Sequence, residues 1–573
     1  MKNARQRRLV PDVTAVKYES FALSRKAIVR LCQFRFGASR AGSEDRSVMT
    51  RARRRAAAAA LAVSALTVPI AISGTAHAAL VTGDVGVMIT MSDGVQLAAE
   101  VVTPASITTK HPLIVMPTSW SAKYAQYHNI AIALEQRGFI VVGYNPRGMG
   151  SSGGLADFAG PASISDASAV ISWALANTAA DPAKIGMIGM SYGAGISLLA
   201  AEHDFRIKAV GALSSWTDFD YSFNPNNALA SAALTSLLGN NTVRLDSELT
   251  SLKTAVAASD PVPAGKLVDS LAMSRSPILG VSALNQNHTA VMLASGYQDS
   301  YFSPRQLVTF YNQLTGPKRL QLAVGDHTQP EEPAFFGSPN SGPFGDALNW
   351  VAHYLAGANN GINTAAPLQL ENETTRATTG LAKWPTGPQT LDLGTPLSTS
   401  SPQVDAGTTS TLWSTPIGAG VATAADAPPL LTNPLATFRF TTTNLTTLDP
   451  AHSDQWAGPT LTSPLTITGE PMVQLTVSDT SPRTGFALYL YDVNAAGTGT
   501  LIDAMPATVT GATTAKTVNL HFDPMNWTVP AGDHLGLVID TIDRRWALVN
   551  KAGSSLTVAS TSSAPAYLSM PTN

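Results

Sequence analysis

The sequence predicts an α/β domain with a helical insertion, followed by an all-β sandwich. Three observations carry this. Short apolar runs alternate with helix-spaced segments from about residue 85 to 361. The alternation breaks between about 217 and 287, where two successive segments have helical spacing and no strand separates them. Beyond about 364, Thr, Ser, Pro and Gly dominate, and short alternating runs replace the helices. Strand–helix alternation implies βαβ units and a mostly parallel sheet, whereas short alternating strands divided by turn residues imply a sandwich.

The elements follow in order. "VGVMITMSDGVQLAAEVVTPA" (85–105) is two strands joined at Ser92-Asp93-Gly94, a hairpin turn signal. Apolar runs at 113–116, 139–142, 184–188, 208–213, 290–294 and 320–324 are the next strands, and "YHNIAIALEQRG" and "DASAVISWALANTAA" are helices between them. An antiparallel pair feeding a parallel sheet is the outline of an α/β-hydrolase. "NNALASAALTSLLG" and "LDSELTSLKTAVAASD" form a helical cap over the carboxyl ends of the strands, where open α/β sheets bind ligands. "DALNWVAHYLAGANNG" (346–361) closes the domain at Gly357. The expected boundaries are 79–363 for this domain, with the cap at about 217–287, and 364–573 for the sandwich.

Length and charge agree with this reading. At 573 residues, with 44% apolar and 13% charged side chains, the chain can bury two large cores. Residues 1–55 carry 15 Lys and Arg against 4 Asp and Glu, a net of +11. The whole chain is −2, so the remainder is −13, with no basic stripe for nucleic acid. The basic head continues into an arginine cluster (Arg51, Arg53, Arg54, Arg55), an apolar stretch over 56–72 and Ala76-His77-Ala78. That is the layout of a secretory signal starting at about Met49 and cleaved after Ala78. Export to the extracellular space is expected, without a stable membrane anchor after cleavage. Residues 1–48 precede the signal as an extension. The single cysteine, Cys32, lies before the cleavage point, so the mature protein has no disulfide, cysteine nucleophile or thiolate ligand.

"KIGMIGMSYGAG" holds the pattern Gly189-x-Ser191-x-Gly193 between an apolar strand and a helix. A tight strand-to-helix turn projects the serine hydroxyl above the sheet, beside the positive end of the helix. A serine needs a base, and the base needs an orienting acid; on this architecture they follow in that order. "VMLASGYQD" ends one strand with Asp299 in its loop, and "RLQLAVGDH" ends the next with His327, 28 residues on. The expected roles are Ser191 nucleophile, His327 general base and Asp299 orienting acid. Asp218 is the alternative acid; Asp326 adjoins His327 but is poorly placed to reach its ring. His203 and His353 lie on helices and His521 in the sandwich. "GYNPRGMGSSGG" lacks the Gly-Lys-Ser/Thr end of a phosphate loop, so Arg147 reads as structural. No cofactor or metal is expected.

The segments "DASAVISWAL…KIGMIGMSYGAG", "GYQD" and "GDH", with the sandwich behind them, resemble the X-Pro dipeptidyl-peptidase and cocaine-esterase group of serine hydrolases over most of 85–573. The resemblance implies an α/β-hydrolase with a helical cap and a C-terminal jelly roll. It also implies activity on esters, acyl amides or short peptides, and an oxyanion hole whose first donor is the main-chain N–H of Tyr192. The family's D-x-R-G is Asn145-Pro146-Arg147-Gly148 here. Its second donor is a tyrosine hydroxyl after the third strand, where this chain reads "VMPTSWSAKY". The indole N–H of Trp120 is the candidate replacement, and the main-chain N–H of Ser119 is the alternative. No second carboxylate follows Asp299, which favours an esterase or acylase over a dipeptidyl-peptidase, although the cap residues Asp246 and Glu248 are available to bind a substrate amine. The alternative of another class is a cell-surface binding protein with an inactive hydrolase domain.

Overall fold

The computed structural model describes residues 80–572, apart from 107, 386–387, 393–411 and 429–437, all within one compact unit. The expected signal, its arginine cluster and the expected cleavage point after Ala78 lie outside the described residues.

The N-terminal sheet is built from β1 (Asp84–Thr90), β2 (Gln96–Val102), β3 (His111–Pro117), β4 (Ile140–Tyr144), β5 (Ala180–Met190), β6 (Ile207–Leu213), β7 (Ala290–Gly296), β8 (Lys318–Ala323), β9 (Leu368–Glu371) and β10 (Thr378–Leu381), in the spatial order β1-β2-β4-β3-β5-β6-β7-β8-β9-β10. β1 and β2 form the antiparallel hairpin, with Gly94 at φ +83° in its turn. From β4 to β9 every pairing is parallel. The central strands are apolar along their length because helices cover both faces. One face packs against α1 (His128–Glu135) and α10 (Gly342–Ala356), joining Ile114, Ile188, Phe344 and Trp350 in one core. The other packs against α2 (Pro161–Asn177), α3 (Tyr192–His203) and α9 (Arg305–Gln313), around Val115, Met187, Ile196 and Phe310.

Between β6 and β7 lie the cap helices α4 (Phe219–Phe223), α5 (Ser231–Leu238), α6 (Ser247–Val256), α7 (Val262–Ala272) and α8 (Val281–Asn287). Leu234, Leu249 and Val268 join the cap to the same core as α3.

The sheet does not stop at residue 363. β9 adds to β8 in parallel and β10 to β9 antiparallel, so the hydrolase sheet runs on to Leu381. The sandwich follows. One sheet is centred on Met472–Asp479 and the other on Arg483–Val493, with antiparallel pairings throughout. Val473, Leu475, Phe486, Leu488, Trp527 and Val558 fill the space between them.

The sandwich is docked on the hydrolase domain rather than tethered to it. The Glu373 and Asn526 main chains meet (N–H to O, 2.7 Å), and Asn526 N–H also reaches the Glu373 carboxylate at 3.0 Å. Arg305, at the start of α9, pairs with Glu470 at 3.1 Å, and Ser303 Oγ donates to Asp523. The cap touches it too, with Ala547 N–H donating to Leu229 O at 2.8 Å. These contacts bring sandwich residues against the loop that carries Asp299.

Candidate active site

Ser191 sits between the end of β5 and the first turn of α3, at φ +55°, ψ −122°. Few non-glycine residues adopt such a backbone, at a cost of about 1–3 kcal/mol. The flanking glycines make the turn possible. A Cβ on Gly189 would lie 2.2 Å from Gly193 C and O, and one on Gly193 would lie 2.0 Å from Pro117 O. The bend is therefore tight against itself and against the end of β3.

Ser191 Oγ lies 2.8 Å from His327 Nε2, and His327 Nδ1 lies 2.8 and 3.0 Å from the two Asp299 oxygens. The three sequence-predicted residues thus form one hydrogen-bonded chain across β5, β7 and β8. Asp299 has no exposed side-chain surface. Its Oδ1 also accepts the N–H groups of Tyr301 and Phe302, both at 2.9 Å, and its Oδ2 accepts Ser295 Oγ at 3.2 Å. These donors hold the carboxylate in one orientation toward the imidazole. Burial pushes the His327 imidazole down, but the charge and hydrogen bond of Asp299, with the charges of Asp326 and Glu331, together outweigh it, so its pKa stands above the ordinary 6.5.

The rival residues are engaged elsewhere. Asp218 caps α4 by accepting Tyr221 N–H at 3.1 Å. Asp326 accepts the N–H groups of Ser300 (2.8 Å) and His327 (2.6 Å), bracing the two loops. His203 and His353 bond main-chain carbonyls on or just beyond their own helices. Arg147 makes a bidentate pair with Asp166 (2.6 and 2.7 Å) and reaches Asp93 at 3.1 Å, as its structural reading requires.

The first oxyanion position holds a suitable donor. Tyr192 opens α3, so its N–H has no acceptor within the helix. Its phenol is buried, accepts Ala159 N–H at 2.9 Å and belongs to the packing. Trp120 does not fill the second position with its indole. That N–H donates to Leu237 O at 2.9 Å, at the end of α5 in the cap, and so is turned to the cap and engaged. The ring packs on Phe158 (4.9 Å) and Tyr192 (5.0 Å). The alternative, Ser119 N–H, is taken by Gln126 Oε1 at 3.2 Å. The cap acids have partners of their own: Asp246 caps α6 through Leu249 N–H at 2.8 Å, and Glu248, largely exposed, pairs with Arg275 at 2.8 Å.

Two features escape the sequence reading. Glu331, four residues after His327, is buried and accepts Ser214 Oγ at 3.0 Å, while Ser214 Oγ accepts Thr328 N–H at 3.2 Å. Burial raises its carboxyl to about 7. A cavity of about 50 Å³ lies beside the Asp299 loop, lined by Tyr297, Asp299, Tyr301, Asp503, Asp523 and Arg545 among others. Both added carboxylates come from the sandwich, some 200 residues along the chain, so no local pattern announces them.

Among the described residues, Asp84, Glu100 and His128 are the group of three whose ligand atoms lie within 4.8 Å of one another. Within it, His128 at the start of α1 hydrogen-bonds Glu100 on β2 at 2.8 Å. No described helix is long and apolar enough to cross a membrane.

Residues 93–329 match the family model of the X-Pro dipeptidyl-peptidase (S15 family), and 360–571 match that of the X-Pro dipeptidyl-peptidase C-terminal non-catalytic domain. No curated protein matches the chain. Among solved structures, an aminopeptidase from a marine sediment archaeon (Thaumarchaeota archaeon) is similar at 13% identity and a TM-score of 0.65, covering 89% of this chain and 99% of its own. An α-amino acid ester hydrolase is similar at 17% identity and 0.65, covering 89% and 100%. A CocE/NonD family hydrolase from Staphylococcus aureus is similar at 12% and 0.64, covering 88% and 99%. At these identities the likeness is one of fold.

Proposed function

We propose how this chain, which belongs to the serine hydrolases of the X-Pro dipeptidyl-peptidase (S15) and CocE/NonD type, carries out its reaction: it cleaves esters or acyl amides through an acyl-enzyme on Ser191. The hydrogen-bonded chain Ser191–His327–Asp299 carries this reading. His327 Nε2 takes the hydroxyl proton as Oγ attacks the acyl carbon. The carbonyl oxygen becomes an oxyanion facing Tyr192 N–H. Collapse expels the alcohol or amine, which receives the proton from His327. Water, deprotonated by the same nitrogen, then releases the acid. Asp299 holds the imidazole tautomer and offsets the imidazolium charge.

The esterase or acylase form is favoured. No second carboxylate follows Asp299 in its own loop, which is Ser300-Tyr301-Phe302. The cap carboxylates already have partners in Leu249 N–H and Arg275. A second reading, cleavage of amino-acyl or X-Pro peptide substrates, is supported by Asp503 and Asp523 in the cavity beside Asp299. Comparing kcat/KM for p-nitrophenyl butyrate and Gly-Pro-p-nitroanilide separates the two. Faster turnover of the ester supports the first reading, and faster turnover of the anilide replaces it with the second.

The protein acts outside the cell in this proposal, on the strength of its leader. N-terminal sequencing of protein from culture supernatant should begin at Ala79. Cell-retained protein still carrying residues 49–78 would refute export.

A further inference from the structure

His327 does not stand on a strand. β8 ends at Ala323, and the base sits four residues further on, in a loop that folds back on itself. Gln329 N–H donates to Asp326 O (3.1 Å), Asp326 N–H to Gln329 Oε1 (2.9 Å) and Glu331 N–H to Thr328 O (3.1 Å). Thr328, the residue after the base, has φ +66°. That is a backbone few β-branched residues adopt, and it persists only where the surroundings hold it.

What holds it is Ser214, the first residue past β6. Its own φ is +46°, and its side chain is fully buried. The peptide joining Leu213 to Ser214 is bonded on both sides. Its carbonyl accepts Ser191 N–H at 2.8 Å, and its N–H donates to Ala294 O on β7 at 2.7 Å. Ser214 Oγ then accepts Thr328 N–H at 3.2 Å and donates to Glu331 Oε2 at 3.0 Å. A hydroxyl has one proton to give. By taking it, Glu331 leaves the oxygen's lone pairs for Thr328 N–H.

As a stabilising element, Glu331 is poorly arranged. Its side chain is 1% exposed, yet Oε1 has no hydrogen-bond partner among the described residues. A buried acid left half-satisfied points to the site it adjoins rather than to the packing around it.

We propose that Ser214 and Glu331 are positioning residues, a brace that ties the His327 loop to the peptide on which the Ser191 N–H rests and so sets the distance between base and nucleophile. Asp299 orients the imidazole ring; the brace places the main chain that carries it. The inference rests on His327 being the base of Ser191.

Steady-state kinetics on p-nitrophenyl butyrate test the brace. Ser214→Ala and Glu331→Leu each break it, and kcat should fall about tenfold or more with KM within twofold. Combined, the two substitutions should cost no more than the worse one alone, because both cut one chain of hydrogen bonds. Glu331→Gln keeps a carbonyl oxygen for the Ser214 hydroxyl, so at the plateau of its pH profile kcat should return to within threefold of wild type. Circular dichroism and Tm establish that each variant is folded at the assay temperature, and either single variant decides the question where the other does not fold. An unchanged kcat in Ser214→Ala or Glu331→Leu, a loss confined to KM, losses that multiply in the double variant, or a Glu331→Gln variant as slow as Glu331→Leu overturns the brace. A folded Ser191→Ala variant that still turns over would instead remove the triad itself, an outcome distinct from fully active Ser214 and Glu331 variants.

Discussion

The indole N–H of Trp120 donates to the carbonyl oxygen of Leu237, 2.9 Å away and 117 residues along the chain. The ring is thereby a strut between the turn after β3 and cap helix α5, beside the nucleophile but aimed away from it.

Trp120→Phe removes the strut and keeps most of the ring's bulk. Because the indole is not an oxyanion donor here, kcat on p-nitrophenyl butyrate should stay within threefold of wild type. Losing one hydrogen bond should cost about 1 kcal/mol of stability, seen as a lower Tm. A tenfold or larger fall in kcat with an unchanged Tm would return the indole to the chemistry.

The pH profile follows from His327. Only the neutral imidazole accepts the Ser191 proton, so kcat/KM rises with pH through the His327 pKa. Its pKa stands above 6.5, with the charges of Asp299, Asp326 and Glu331 outweighing burial. The acid limb of kcat/KM should therefore lie above 6.5. Glu331→Gln deletes one of those charges and should move the limb down. An NMR titration of the His327 ring in wild type and in Asp299→Asn checks the main cause. In the variant burial is left unopposed by Asp299, and the pKa must fall. A wild-type limb at or below 6.5 contradicts the account.

Glu202 predicts a pH-dependent stability. It lies on α3, 7% exposed, with Oε1 lacking a partner among the described residues, and burial raises its carboxyl to about 9. Below its ordinary pKa of 4.5, Glu202 is protonated in folded and unfolded chains alike and costs nothing. As pH rises, only the unfolded chain ionises, so the folded state loses ground up to about pH 9. Glu202→Gln should stabilise by about 1–3 kcal/mol at pH 8, and the gain should vanish near pH 4. Chemical denaturation at both pH values measures it. Equal effects at the two would show that ionisation is not the cause.

Much of the site was legible because each member stands at the carboxyl end of a strand. Gly189 and Gly193 marked the bend at Ser191, and the two successive apolar runs ending in "GYQD" and "GDH" marked Asp299 and His327. What was hidden depends on distant partners or weak local signals. β9 and β10 are four residues each in a Thr-rich stretch, so they read as sandwich although they extend the hydrolase sheet. The fate of the Trp120 indole is decided by a cap carbonyl 117 residues away. Asp503 and Asp523 reach the Asp299 loop only because the sandwich docks there.

The central claim is that Ser191 forms the covalent intermediate. Labelling the purified protein with a fluorophosphonate probe, digesting it and mapping the adduct by mass spectrometry tests this most directly. The account predicts one adduct, on the peptide containing Ser191, and neither labelling nor hydrolysis of p-nitrophenyl butyrate by a folded Ser191→Ala variant. An adduct elsewhere, or labelling and turnover that persist in the variant, would contradict it.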